Sequence, residues 1–194
     1  MYPEAHCELD FKTPLELLVA TILSAQCTDK RVNEVTKALF QRCRSAADYA
    51  RIKTAELEAL VRSTGFYRAK AKSIQESART LAADFEGRVP DSMEQLLTLR
   101  GVARKTANVI LGTVFNKAEG IVVDTHVKRL SFRLALSDET APEKIEQDLM
   151  KLMPRRDWIF FGQALVWHGR RVCSARRPDC PGCGLRALCP KRGV

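Results

Sequence analysis

No apolar run in this chain approaches the roughly 20 residues that a membrane-spanning helix needs; Leu17 to Leu23 is among the longest. The opening MYPEAHCELDFK carries acids and has no apolar core, so it lacks the pattern of a secretion signal. The chain is therefore expected to be soluble, unexported and cytoplasmic. Period-two alternation of apolar and polar residues is almost missing, which argues against a sheet. Internal repeats, low-complexity tracts and flexible linkers are missing too, so any second domain must pack closely against the first. Acids are in short supply, 23 against 32 Lys and Arg, leaving a net charge of +9. Such an imbalance favours a polyanionic partner, with nucleic acid ahead of an anionic membrane surface.

What is present suffices for a core. With 194 residues, 45% of them hydrophobic, the chain holds one domain or two small ones. Periodicity predicts one helix after another. Thr13-Pro14-Leu15-Glu16 supplies a cap, a proline at the first helical position and a glutamate three residues after the cap. Leu15, Leu18, Val19, Ile22 and Leu23 then line one face of a helix reaching Ser24. Further helices are expected over 29–41, 45–50, 54–62 and 68–85, the last stopped by Gly87 and Pro90. Asp91-Ser92-Met93-Glu94 has the capping-box pattern of another start. Helices over 104–114, 124–136, 142–152 and 157–170 complete an all-α chain.

Three features carry chemistry. Four of the seven cysteines, Cys173, Cys180, Cys183 and Cys189, fall in the last 22 residues, in a tail of prolines and glycines that cannot fold on its own apolar surface. Without an export signal they are read as metal or metal-sulfur ligands rather than disulfides. Four thiolates suit tetrahedral zinc or an iron-sulfur cluster; a single Cys-x2-Cys pair, where zinc ribbons use two, favours the cluster. Arg170, Arg171, Arg176, Arg177, Arg186, Lys191 and Arg192 surround the ligands, suited to offsetting thiolate charge or contacting phosphates.

The second feature is the run Leu96 to Ala107, a helix end, a tight turn at Gly101 and a new helix start. Free N–H groups at a helix start form a phosphate site that reads no sequence. Lys105 stands in that first turn, where the helix dipole disfavours a cation; a neutral amine is what a nitrogen nucleophile requires. The ordinary alternative is one more solvent-facing or phosphate-contacting lysine. The third is Asp124, after the apolar Ile121-Val122-Val123 and before a helix. Its plain role is an N-cap; a carboxylate there is also placed to stabilise a developing positive charge, and different oxygens allow both. His126 has no partner at metal-ligand spacing and is read as a packing residue.

Together, the glycine turn with Lys105, the Val-Asp-Thr-His segment and the cysteine tail resemble the helix-hairpin-helix DNA glycosylases, specifically the endonuclease III family. Leu23 to Asp29, Gly65 to Ala71, Gly101 to Asn108, Val123 to His126, His168-Gly169-Arg170 and the cysteine spacing match that family's segments in order, over nearly the whole chain. The resemblance implies a six-helix barrel domain with the hairpin at about 8–117, and an iron-sulfur cluster domain formed by 118–194 and the returning 1–7. It implies a 4Fe-4S cluster on the four cysteines, with zinc as the alternative, and Arg176 and Arg177 near the DNA backbone. The implied partner is double-stranded DNA containing an oxidised pyrimidine or an abasic site, bound by a monomer.

By the same resemblance Lys105 and Asp124 are catalytic, giving a glycosylase that is also an abasic-site lyase. Gln26 and Phe66 fill or wedge the duplex vacated by the extruded base, their ordinary alternatives being capping and packing. Gly101, Ala103 and Arg104 belong to the phosphate-binding hairpin. That hairpin usually reads Leu-Pro-Gly-Val-Gly in the family; here Arg100 replaces the proline and Ala103 the second glycine, with Arg100 offered as a compensating phosphate contact. A non-catalytic damage-binding module is the competing class, opposed by the presence of both Lys105 and Asp124. A mismatch-type adenine glycosylase of the same fold is opposed by the lysine.

Overall fold

The computed structural model describes all 194 residues and is built of α-helices with two short 3-10 turns. The chain forms two compact units: Glu8–Phe115, and Met1–Cys7 together with Asn116–Val194.

The first unit is organised around α1 (Pro14–Ser24). Thr13 Oγ1 accepts the Glu16 N–H at 3.2 Å, while the Glu16 carboxylate reaches back to the Lys12 N–H. The predicted single apolar face is an underestimate: every residue from Leu17 to Leu23 is buried, because three other helices of this unit pack on this one. Its one interior hydroxyl, on Thr21, donates to the Leu17 carbonyl at 2.7 Å, so no polar group is stranded. Around it lie α2 (Asp29–Arg42), α3 (Ala46–Arg51), α4 (Thr54–Val61), a 3-10 turn (Arg62–Thr64) and the long α5 (Tyr67–Asp84). Gly87, at φ +75°, ends α5 by donating its N–H to the Leu81 carbonyl at 2.8 Å.

A short α6 (Met93–Leu97) leads through a turn into α7 (Arg104–Phe115). The cap of α6 is Ser92 rather than Asp91: its hydroxyl accepts the Gln95 N–H and meets the Gln95 side chain. The capping pair is thus Ser92 with Gln95, one residue on from the Asp-x-x-Glu pattern, and its second bond joins the two side chains.

The second unit packs α8 (Thr125–Arg133), α9 (Pro142–Leu152) and α10 (Trp158–Arg171) around Ile121, Val123, Val127, Leu130, Ile145, Leu149 and Leu165. The expected extension of α8 to 136 fails because Ala135 takes φ +56° and the Leu136 N–H turns back to the Ser131 carbonyl at 2.8 Å. Alanine gives no such signal in sequence, where glycine is the usual residue of a left-handed cap. Residues 172–194 contain no helix or strand. The N-terminal peptide joins this unit through Trp167, whose indole N–H donates to the His6 carbonyl at 3.0 Å, and through the Tyr2 hydroxyl, 2.9 Å from His168 Nδ1.

Candidate active site and nucleic-acid interface

In the first unit the hairpin turn is anchored by two side chains and a carbonyl. Leu99 and Val102 are buried, and the Arg100 carbonyl accepts the Ser77 hydroxyl at 2.7 Å, fixing the turn to α5. Gly101 takes φ +80°, and a β-carbon there would stand 2.9 Å from Ser73 Cβ; both the backbone and the close approach require glycine. Gly101, Ala103, Arg104 and Lys105 are exposed at the start of α7, where first-turn N–H groups lack intrahelical partners. The Arg100 guanidinium pairs with Glu76 at 2.8 Å.

Two other loops of this unit present exposed side chains from left-handed backbone. Gln26, just beyond α1, has φ +53°, and Phe66, the N-cap of α5, has φ +47°. Such backbone costs a non-glycine residue roughly 1–2 kcal/mol. Phe66 leaves 67% of its surface in solvent, so neither packing nor capping, its ordinary roles, accounts for it; it makes no side-chain cap bond. Gln26 likewise is exposed.

In the second unit Asp124 is the N-cap of α8. Its Oδ1 accepts both the His126 and the Val127 N–H, each at 2.8 Å, and Oδ2 takes neither. The cap thus engages one oxygen of the carboxylate. His126 packs on α10: a β-carbon at Gly169 would lie 2.9 Å from His126 Cβ and 3.0 Å from Arg129 Nη2, so glycine permits the helices to approach.

All four tail sulfurs line one cavity of about 420 Å³, counted with its open mouth, whose walls include Leu130, Leu134, Val172 and Pro178. Four thiolates suit either an iron-sulfur cluster or a tetrahedral ion. The tail is held by side chains of α8 that sequence reasoning overlooked. Arg133, 6% exposed, donates to the Ser174 and Ala175 carbonyls at 2.8 and 2.9 Å and lies 3.3 Å from Cys173 Sγ. Arg129 donates to the Cys173 and Gly169 carbonyls, both at 2.9 Å. His168 Nε2 lies 3.5 Å from Cys183 Sγ; burial pushes this imidazole's pKa below its usual value. Arg176 and Arg177 are exposed on the loop following the held segment. The one sequence signal for Arg133 is a cation where the apolar period of α8, from Val127 through Leu130, continues.

The first unit thus carries a helical hairpin with an exposed lysine at its second start, and the second unit a carboxylate capping a helix. Residues 19–155 match the HhH-GPD superfamily of base excision DNA repair proteins. Endonuclease III of Synechocystis sp. is 57% identical over 190 residues, 98% of this chain and 87% of that protein. Endonuclease III of Bacillus subtilis is 43% identical over 97% of this chain and 86% of its own length. Among solved structures, a trapped endonuclease III–DNA covalent intermediate superposes with a TM-score of 0.94 at 43% identity, covering 98% of this chain and 90% of that one. The chain belongs to the endonuclease III family.

Proposed function

We propose that this chain is a base-excision DNA glycosylase and abasic-site lyase that removes oxidised pyrimidines from duplex DNA. The observation that carries the reading is Lys105, exposed in the first turn of α7 directly after the phosphate-binding turn at Gly101. That arrangement brings an amine to a backbone-anchored strand, and a covalent endonuclease III–DNA intermediate is known for a relative of the same fold.

The damaged base leaves the stack, Gln26 and Phe66 entering the space it vacates, while the hairpin N–H groups, with Arg104, and Arg176 and Arg177 hold phosphates. The deprotonated Lys105 amine forms a bond to the sugar C1′ as the bond from C1′ to the base breaks, the base leaving with a proton. Asp124, through Oδ2, stabilises the cationic sugar and relays protons. Ring opening gives a lysine imine; loss of a proton from C2′ then expels the 3′ phosphate by cleavage of the C3′–O bond. Water hydrolyses the imine and restores the amine.

For the cysteine cavity we assign a 4Fe-4S cluster held by Cys173, Cys180, Cys183 and Cys189, whose contribution is to cross-link the tail; a visible absorption band separates it from the zinc alternative. No helix is long and apolar enough to cross a membrane, and the reading is of a monomer working beside DNA in the cytoplasm.

Borohydride trapping on a duplex with one oxidised pyrimidine tests the chemistry. A covalent adduct is expected with the natural chain and none with Lys105→Ala. A folded natural chain that forms no adduct would return the protein to the damage-binding class.

A further inference from the structure

Helix α5 buries Ala71, Ile74, Ala78 and Leu81 against its neighbours, and at the head of this apolar stripe stands a lysine. Lys70 is only 5% exposed, and burial pushes its pKa below the usual lysine value. A buried ammonium without good partners is destabilising, and a hydrophobic residue of like volume is often as stable or more so. Its partners therefore indicate its use. Nζ donates to the Leu23 carbonyl at 2.8 Å and to the Thr64 carbonyl at 2.7 Å. Leu23 lies in the last turn of α1, three residues before Gln26; Thr64 ends the 3-10 turn, two residues before Phe66. The Lys70 N–H, in addition, donates to the Phe66 carbonyl at 3.1 Å.

We propose that Lys70 is a positioning residue that ties the loops bearing Gln26 and Phe66 into one rigid two-pronged element, so that both side chains enter the duplex together. The proposal rests on the base-extruding function given above for those two residues. The geometry separates this role from simple capping. A cap for α1 alone would need only the Leu23 carbonyl, and a tie for the α5 entrance only that of Thr64. One ammonium serves both, and the prongs project from the two segments it joins. Prongs on independently moving loops would have to find the stack separately, and looseness of about 1 Å in a positioning group costs rates up to the order of 100-fold.

The test compares Lys70→Met with the natural chain on two substrates: a duplex with an oxidised pyrimidine, which must be opened, and a preformed abasic site, from which no base needs extruding. We expect excision to fall on the order of 10- to 100-fold while abasic-site cleavage stays close to natural. The fluorescence rise of a 2-aminopurine placed opposite the lesion should be lost in Lys70→Met and recovered in Lys70→Arg, which keeps two donors. Hydrogen exchange should quicken in 24–27 and 64–67 together. Unchanged excision, equal loss on both substrates, or quickened exchange in only one loop overturns the proposal. Should Lys70→Met fail to fold, Lys70→Gln, which keeps a neutral donor, carries the same comparison. If the natural chain excises nothing, the functional reading fails instead, and the exchange experiment still decides whether the loops are coupled.

Discussion

The helical unit 8–115 and the tail 172–194 are ordered by opposite means. In the first, Leu17, Leu18, Leu23, Leu39, Leu57, Ile74, Leu81 and Ile110 are all but inaccessible to solvent, and the helices follow from that burial. In the second, leucine is sparse and Leu188 is 83% exposed; carbonyl groups are gripped by Arg129 and Arg133, and four thiols surround a hollow. One region holds its shape by excluding water, the other by directional bonds to a few atoms. Damage should therefore spread differently. A lost methylene in the first unit weakens a whole core, whereas a lost donor or ligand in the tail should release a segment and spare the rest.

The largest effect should come from Cys183→Ser. With one ligand gone, the proposed cluster should not assemble, and limited proteolysis should cut within 172–194 while the helical unit stays resistant. Simultaneous melting of both regions would erase the distinction. A smaller effect is expected of Arg133→Met, which leaves the Ser174 and Ala175 carbonyls without their donor. The cost should be roughly 2–4 kcal/mol, read as faster hydrogen exchange in 173–177 with little change in 54–84.

The smallest should be Asp48→Ala, which removes half of the capping box of α3 and is expected to cost about 1 kcal/mol or less. Hydrogen bonds from the Arg44 N–H, and then from Ser45, hold the Asp48 carboxyl below its usual pKa. Its contribution is thus present above the unfolded carboxyl's pKa, about 3.9, and is lost as pH falls through the lower folded value. Natural and variant chains should accordingly converge in stability below about pH 4. Denaturant titrations across that range provide the check.

The same contrast explains what was legible in the sequence. Apolar period, proline at N1 and Ser or Thr caps announce helices, so α1, α2, α5 and α9 lie within a residue or so of the reading. The failures share a physical origin in backbone and polar geometry that no period encodes. Ala135 turns left-handed without being glycine, and Arg100 finds Glu76, a residue 24 positions away. Lys70 and Arg133 look like interruptions of an apolar stripe until the carbonyls they serve are seen in space. The four cysteines were readable as a set, since their spacing is itself the signal. Their supports on α8 were not, because the contacts span some 40 residues.

The pairing of Tyr2 and His6 with Trp167 and His168 orders events during synthesis. These residues precede 8–115 in the chain, yet they belong to the unit that is completed after it. At roughly 5–20 residues per second, about 10–30 s pass before α10 exists for them to meet. Meanwhile 8–115 emerges whole and can fold around α1, holding the N-terminal peptide on a short tether. When α10 arrives, that peptide closes a loop of about 160 residues, yet the intervening chain is already compact, so the entropic cost is far below that of closing an unfolded loop of the same length.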